Sequence, residues 1–348
     1  MNKKLRNVLQ YLFVFALGFF LVWLSIKDID AEKWEHIRFA LNNTRYYLIA
    51  PVFVILVASH FFRALRWRLL VQSLGYSPSR LNTFFSVFVG YLVNQGVPRM
   101  GEVVKCTVLG RYEKIPPDKL IGTIILERLI DALTLLIVFG LTLAIQPGLY
   151  QRLVDEVFTS SGSSAKKGLS GGVILLLIIG GLILIALIWM LVKKKTLKDV
   201  GALLKGVAAK VWQGVGAIRH LRKRGQFLLL TVLMWTCYLA GGLIGFQALE
   251  QTQQYGIKEA FTVLSAGSIG MVVTPGGIGG YPLLVEKTMM LYGLQTEIAT
   301  AFGWLLWIAQ TVIILFGGAV SFALLPWYNK RRQQRQTGKP APLPVPET

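Results

Sequence analysis

Acidic residues, cysteines and histidines are all scarce in this chain of 348 residues, which holds 17 Asp and Glu, two Cys and three His. Cys106 and Cys237 lie far apart without metal-ligand spacing, which argues against a disulfide framework or a zinc site. We expect both to be packing residues. No Walker-type G-x-x-x-x-G-K-[ST] loop occurs, and His36, His60 and His220 form no catalytic pair in sequence. These absences indicate neither a P-loop ATPase nor a metalloprotein.

Long polar stretches are also few, because 54% of the residues are hydrophobic and only 16% are charged. Apolar runs of about 20 residues recur, the length that a helix needs to cross a ~30 Å hydrocarbon core. Open sheets leave backbone groups unpaired in lipid, so the crossings are helices. The sequence therefore predicts an all-α, polytopic helical membrane protein. Its first apolar run, 8–26, lacks a small-residue cleavage site, and we interpret it as a retained helix.

Basic residues give the chain a net charge of +20. They cluster beside the apolar runs, so the positive-inside rule explains them and we expect no nucleic-acid partner. The segments 27–45, 146–170 and 250–259 carry acids that roughly balance their bases and are assigned to the outside. This predicts a cytoplasmic membrane protein with both termini in the cytoplasm. The basic groups assigned to the cytoplasmic face are Arg63, Arg66, Arg68 and Arg80, the loop 193–224 and the tail 328–348.

These assignments can be tested for consistency, because each full span must carry the chain from one side of the membrane to the other. Two further apolar pieces, 81–97 and 260–293, must then enter the membrane and return to the face that they left. One enters from each face, which is the pattern of an inverted-topology repeat. We predict one domain, 1–327, with repeat units 46–145 and 226–325, followed by a basic, proline-containing disordered tail, 328–348. The six predicted full spans are 8–26, 46–62, 121–145, 172–192, 226–247 and 297–325.

An offset of 177 residues superimposes parts of the two units. The stretch "GYLVNQGVP" then lies over "GSIGMVVTP", so that Gly90 matches Gly267 and Pro98 matches Pro275. The matches are few, and they agree with a topology that was deduced from other residues.

The stretch "MVVTPGGIGGYP" interrupts the second re-entrant segment with residues that end helices. We expect its proline and glycines to form the tip of that segment, with Pro282 in the first turn of the half-helix that follows. The N-terminus of a half-helix favours a bound anion. Alternatively, the glycines only permit close helix packing. The predicted tip residues are Pro275, Gly276, Gly277, Gly279 and Gly280.

The charged residues of the first unit lie in "VPRMGEVVK" and "ERLID". Helical spacing places Glu127 and Asp131 on one face and predicts an Arg128–Asp131 pair, while Glu127 meets Arg99 or Lys105. Ions inside a span normally turn toward one another or toward water. One interpretation is a structural ion-pair network. The other is a polar cavity in which Arg99, Lys105 and Arg128 receive a phosphate, with Glu102, Glu127 and Asp131 positioning them or binding a coupling ion.

These motifs, "VPRMGEVVKCTVLGR", "GTIILERLIDAL" and "TPGGIGGYPLLVEK", closely resemble the membrane region of lysylphosphatidylglycerol synthases and related stand-alone flippase-like membrane proteins. The resemblance runs from about Leu5 to Trp327. It implies a flippase that moves a charged lipid between leaflets. The soluble aminoacyl-transferase domain of those synthases does not follow, so we do not expect lysyl transfer. In that family an acidic residue commonly follows these glycines closely. Here "GYP" intervenes, and the resemblance implies that Glu286 is the corresponding acidic residue.

The sequence therefore favours translocation of an anionic or phosphate-bearing lipid, either a phospholipid or a lipid-linked precursor. The alternatives are a non-transporting scaffold or accessory subunit, and a membrane transferase that uses Glu127 or Asp131 as general base. We expect no catalytic residue, cofactor or metal. The expected partners are membrane lipids, with a second copy of the chain or a lipid-biosynthetic enzyme as further partners.

Overall fold

The computed structural model describes residues 3–27, 29–146, 148 and 221–337. Every regular element in these ranges is helical, which confirms the all-α prediction for them. The predicted span 172–192 and most of the predicted loops 146–170 and 193–224 lie outside the described residues. The helices are α1 (Lys3–Ile26), α2 (Ala31–Asn42), α3 (Ile49–Ser73), α4 (Arg80–Gly96), α5 (Met100–Glu113), α6 (Pro117–Ile145), α7 (Arg224–Phe246), α8 (Ile257–Val273), α9 (Gly280–Leu291) and α10 (Thr296–Thr337), with short 3-10 turns at Tyr46–Leu48, Glu250–Thr252 and Pro275–Gly277.

Four of the described helices are long and apolar enough to cross a membrane. They are α3 with its preceding turn, α6, α7 and α10, and only 17–28% of the residues in their apolar windows are buried inside the protein. Lipid is the environment that such exposed apolar faces require. The chain is therefore a multi-pass membrane protein. The total of six full spans remains a prediction.

The predicted end of the second span was wrong. We placed it at residue 62, whereas α3 continues to Ser73 and carries Arg63, Arg66 and Arg68 as helical residues. Arg66 is fully buried. Arg63 and Arg66 were assigned to a basic loop because their partners lie on a distant helix, and sequence spacing does not reveal such pairs.

The predicted tail also needs a correction at its start. Helix α10 continues through Pro326 to Thr337, so residues 328–337 are helical. The reason is a set of polar contacts with the first half of the chain. Asn329 exchanges two side-chain hydrogen bonds with Asn82, at 2.8 and 2.9 Å, and Arg332 Nη1 lies 2.6 Å from Glu113 Oε1. Residues 338–348 lie outside the described residues.

Helices α4 and α5 form an antiparallel pair, here called the first hairpin, whose tip is residues 97–99. Near the tip the backbone N–H of Gly101 donates to Asn94 Oδ1 at 2.8 Å, and near the open end Asn82 Nδ2 donates to Glu113 Oε1 at 2.5 Å. A Cβ on Gly101 would lie 1.9 Å from the carbonyl oxygen of Gly90. Glycine at that position therefore allows the two backbones to touch.

Helices α8 and α9 form the second hairpin, whose tip is residues 274–279. Gly270 and Gly280 are in contact near its tip, and Thr262 and Tyr292 share a hydrogen bond of 2.7 Å near its open end. The chain thus turns back at each of the two prolines, while entry into the membrane and return to the same face remain a prediction.

The two tips have the same backbone turn. Residues 97–100 and 274–277 each begin with an extended residue, continue with proline and have a left-handed third residue: Arg99 has φ 66° and Gly276 has φ 58°. The fourth N–H donates to the first carbonyl, at 3.2 Å in the first tip and 3.0 Å in the second. Proline second and positive φ third are the features of a type II turn.

Element bounds repeat at the same interval as the turns. Helix α8 starts and ends 177 residues after α4 starts and ends. Each hairpin also follows one long helix and precedes another: α3 and α6 flank the first, and α7 and α10 flank the second. The local structure therefore recurs at the offset at which the sequence motifs align. The inverted orientation of the two units remains a prediction.

Two hydrophobic cores accompany the two hairpins. The first joins the first hairpin to α3, α6 and the start of α7, and its fully buried side chains include Trp67, Leu109 and Leu120. The second joins the second hairpin to α2, α7 and α10 around Phe246 and Phe302, whose stacked ring centroids lie 5.3 Å apart. Each hairpin is thus held by its own core.

Candidate functional site

Five charged side chains meet where α3, α5 and α6 converge. Arg63 and Arg66 lie one turn apart on α3, Glu127 and Asp131 lie one turn apart on α6, and Lys105 reaches them from α5. Their side chains are between 0% and 15% exposed. We call these five residues the buried ion cluster.

Asp131 bridges the two arginines of α3. Its Oδ2 lies 2.6 Å from Arg63 Nη1 and its Oδ1 lies 2.5 Å from Arg66 Nη2. Asp131 is the fifteenth of the 29 residues of α6, about 21 Å along the helix from its start at 1.5 Å per residue. The pair of ion bridges therefore lies near the middle of a helix long and apolar enough to cross a membrane.

Glu127 is bound by the lysine of the first hairpin. Lys105 Nζ lies 2.8 Å from Glu127 Oε2 and 4.1 Å from the ring centroid of Trp67. The Trp67 indole N–H in turn donates to Thr123 Oγ1 at 2.9 Å. The predicted Glu127–Lys105 contact is thus confirmed, and an aromatic ring covers the ammonium where water is excluded.

Arg128 and Glu102 form a second, more exposed pair. Arg128 Nε lies 2.8 Å from Glu102 Oε1, and the two side chains are 49% and 33% exposed. We call them the rim pair. The predicted Arg128–Asp131 pair is wrong, because Arg128 points outward toward α5 while Asp131 points inward toward α3.

Arg99 does not join the cluster. It is exposed at the tip of the first hairpin, where it precedes α5 in a left-handed conformation that few residues other than glycine adopt. Lys105, two turns along α5, makes the contact with Glu127 that we had allowed for either residue.

A small cavity separates the rim pair from the buried ion cluster. Its volume is about 10 Å³, close to the space of one water molecule. A larger cavity of about 410 Å³ lies between the end of α3 and residues 221–223, and none of the predicted site residues lines it. The small cavity is lined by Arg63, Gly90, Tyr91, Asn94, Gly101, Glu102, Lys105, Glu127 and Arg128.

Several polar atoms of the buried ion cluster have no hydrogen-bond partner among the described residues. Three are donors: Nε of Arg63, and Nε and Nη1 of Arg66. One is an acceptor, Oε1 of Glu127, which lies 3.7 Å from Arg63 Nη1 and 3.6 Å from Arg66 Nη2. Unpaired donors in the cluster therefore outnumber unpaired acceptors.

The second tip is tightly packed. Gly276, Gly277 and Gly279 all have positive φ. A Cβ on Gly277 would lie 2.5 Å from Met271 Sδ, and one on Gly279 would lie 2.4 Å from the carbonyl oxygen of Gly18 in α1. Close packing thus accounts for these glycines, which was the alternative that the sequence left open. An anion at this tip remains a prediction.

The second tip contacts the last turn of α4. A Cβ on Gly276 would lie 1.9 Å from the Gln95 side chain, in the last turn of α4, and the Gly276 carbonyl accepts a 2.8 Å hydrogen bond from Trp307 Nε1. Pro275 and Gly280 are buried beside it. The predicted tip residues are therefore brought together, and they contact the first hairpin through Gln95.

Glu286 lies in a separate polar contact. It is buried on α9, where Ser25 of α1 donates to its Oε2 at 2.7 Å and Lys287 Nζ lies 2.6 Å from its Oε1. Glu286 therefore connects the first helix to the second hairpin.

The sequence missed Arg63 and Arg66, which supply the largest share of the positive charge in the cluster. One signal was available. The run "FFRALRWRLL" keeps helix-forming and apolar residues between its arginines, so the helix had no reason to end at residue 62.

These features define a polytopic helical membrane protein with two broken-helix hairpins and a buried ion cluster. The chain belongs to the family described as the lysylphosphatidylglycerol synthase TM region, whose model matches residues 8–327. It is similar to a UPF0104 membrane protein of Methanocaldococcus jannaschii, with 27% identity over 128 residues. That match covers 36% of this chain and 34% of the relative, so the chain spans about a third of that protein's length. No solved structure matches the chain.

Proposed function

We propose that the protein is a lipid translocase, which moves an anionic or phosphate-bearing lipid between the leaflets of the cytoplasmic membrane. The observation that carries the proposal is the buried ion cluster at the middle of α6, next to the first hairpin. Ionised side chains at membrane depth are costly, and in transport proteins they mark the path of a charged substrate. Membership of a family named for the membrane region of a lipid synthase is consistent with a lipid substrate.

The surroundings of the rim pair support entry from the lipid. Val103 on α5 and Ile121 and Ile125 on α6 are 47%, 43% and 67% exposed, on the same side as Arg128. A headgroup could reach Arg128 from this apolar face while its hydrocarbon chains stay in the bilayer. Arg128 then exchanges the Glu102 carboxylate for a phosphate, since guanidinium binds both.

The repeated architecture supports alternating exposure. In transporters with inverted repeats, one unit moves against the other around a fixed midplane site. Two hairpins with matching turns, the second of which contacts α4 at its tip, fit that scheme if the N- and C-termini both lie in the cytoplasm. A membrane potential, an ion gradient or the lipid gradient itself would drive the movement.

A second candidate function is a non-transporting scaffold. Its support is the size of the cavity, about 10 Å³, and the internal pairing of every charged group in the cluster. In that case the cluster only clamps α3, α5 and α6 together.

Transport by purified protein in proteoliposomes separates the two functions. Fluorescent phosphatidylglycerol in the inner leaflet would be followed by leaflet-selective quenching, with and without an imposed potential and pH gradient. We expect faster exchange than in empty liposomes, and slower exchange for Arg128→Gln. Arg38→Gln is the matched control, because Arg38 is an exposed arginine on α2 whose removal changes the net charge equally.

Two results would contradict the proposal. One is exchange no faster than in empty liposomes for phosphatidylglycerol, phosphatidylethanolamine, aminoacyl phosphatidylglycerol and polyprenyl phosphate, with the fold verified. The other is equal exchange by Arg128→Gln and the parent protein.

A further inference from the structure

The buried ion cluster carries more positive than negative charge. Three cations, Arg63, Arg66 and Lys105, face two carboxylates, Glu127 and Asp131, and the rim pair beside them is neutral as a pair. Within the described residues the balance is therefore one unit of positive charge. A buried cluster with a net positive charge is costly, so an anion would stabilise a site of this kind.

The hydrogen-bond count adds one donor at the cavity to the charge argument. Arg63 Nε belongs to a residue that lines the small cavity and has no hydrogen-bond partner among the described residues, whereas the two unpartnered donors of Arg66 belong to a residue that does not line it. A ligand in the cavity with one negative charge and an acceptor oxygen would neutralise the surplus and accept a hydrogen bond from Arg63. Arg63, Lys105 and Arg128 line the small cavity, so such a ligand would meet cations on more than one side.

We infer that the site takes a lipid headgroup with one negative charge, a phosphodiester without a cationic group. This inference rests on the proposed function and names its substrate class. A phosphodiester offers two non-bridging oxygens and a single charge, which neutralises the surplus. A phosphomonoester carries about −1.5 to −2 charges near pH 7 and would leave the site with excess negative charge. A headgroup amine, as in phosphatidylethanolamine or an aminoacyl ester, would repel the same surplus.

A comparison of exchange rates between lipids tests the preference for a singly charged phosphodiester. Proteoliposomes would contain equal fractions of fluorescent phosphatidylglycerol, lysyl-phosphatidylglycerol, phosphatidylethanolamine or phosphatidic acid, each measured alone at pH 7.5. We expect phosphatidylglycerol to exchange fastest, by about tenfold over each of the others, a ratio equivalent to about 1.4 kcal/mol. At about pH 5 phosphatidic acid is mostly singly charged, so its exchange should approach that of phosphatidylglycerol.

A change of the site's charge tests whether the surplus positive charge sets the lipid preference. Glu102→Gln removes a carboxylate from the half-exposed rim pair and raises the local surplus to two, so the preference should shift toward phosphatidic acid at pH 7.5. Asp118→Asn, an exposed acid in the first turn of α6, changes the net charge of the chain equally and should leave the preference unchanged.

The outcomes separate this inference from the proposed function. If no lipid exchanges, the proposed function fails. If lipids exchange at equal rates, if phosphatidic acid or lysyl-phosphatidylglycerol is fastest, or if Glu102→Gln and Asp118→Asn have the same effect, transport stands and the charge-based inference is wrong.

Discussion

At the scale of single residues, the ion cluster and the rim pair differ in how much each charge depends on its partner. Asp131 holds two buried guanidinium groups, whereas Glu102 holds one that is about half exposed at the protein surface. Loss of one partner from a buried pair leaves its partner charges uncompensated, so the loss of Asp131 affects two buried cations and the loss of Glu102 affects one partly exposed cation.

Asp131→Asn should therefore destabilise the protein by about 3–5 kcal/mol, and Glu102→Gln should destabilise it less. Denaturant unfolding in detergent, followed by tryptophan fluorescence, measures both. Equal losses for the two variants would show that burial does not set the contribution of these charges.

The residues of the site could be predicted only in part. Glu127, Asp131 and Lys105 were found because the i, i+4 spacing on a predicted span puts two acids on one face and the hairpin motif supplies a cation. Arg63 and Arg66 were missed because basic residues at the end of a predicted span are typical of the cytoplasmic face. Nothing in the local sequence distinguishes such residues from buried arginines that pair with carboxylates on another helix. The direction of the Arg128 side chain is set by tertiary packing.

At the scale of the elements, the first hairpin depends on the contact between Gly90 and Gly101. Gly101→Ala should separate α4 from α5 and lower the stability of the fold, because its Cβ would lie 1.9 Å from a backbone oxygen that has no room to move. Gly122→Ala on α6 is the matched control: nothing lies within 4 Å of its Cβ position, and alanine is the better helix former by about 1 kcal/mol.

Thermal unfolding of the two glycine variants measures the difference. We expect a lower midpoint for Gly101→Ala and an unchanged or higher midpoint for Gly122→Ala. A Gly101→Ala protein as stable as the parent would show that the two arms tolerate a wider separation.

The hairpins themselves could be predicted because their breaks are local. Proline after an apolar run ends a helix wherever it lies, and an apolar piece between two segments on the same face must return. The polar return arm α5 was harder to predict from hydropathy, since its sequence "MGEVVKCTVLGRYE" carries five ionisable side chains besides its cysteine. Three of its charges have ion partners on other helices: Lys105 and Glu102 pair with Glu127 and Arg128 of α6, and Glu113 pairs with Arg332 of α10.

At the scale of the whole molecule, topology is the prediction that everything else depends on. In a variant without Cys106 and Cys237, single cysteines at the exposed positions Lys119 and Lys330 should be protected from an impermeant thiol reagent in intact cells. Those at Asp30 and Glu250 should react. Labelling at Lys119 from outside would mean that the first hairpin crosses the membrane, and the inverted repeat would be wrong.

Helix α10 is 42 residues long, about 63 Å of helix and about twice the thickness of a hydrocarbon core. One part of it packs against the second hairpin, and its last turns contact both arms of the first hairpin at the open end, through Asn329 and Arg332. Helix α10 therefore contacts both hairpins, and a movement of one hairpin relative to the other would tilt it. A spin label or a soluble partner fixed to its far end would report, from beyond the lipid, any tilt of one hairpin against the other.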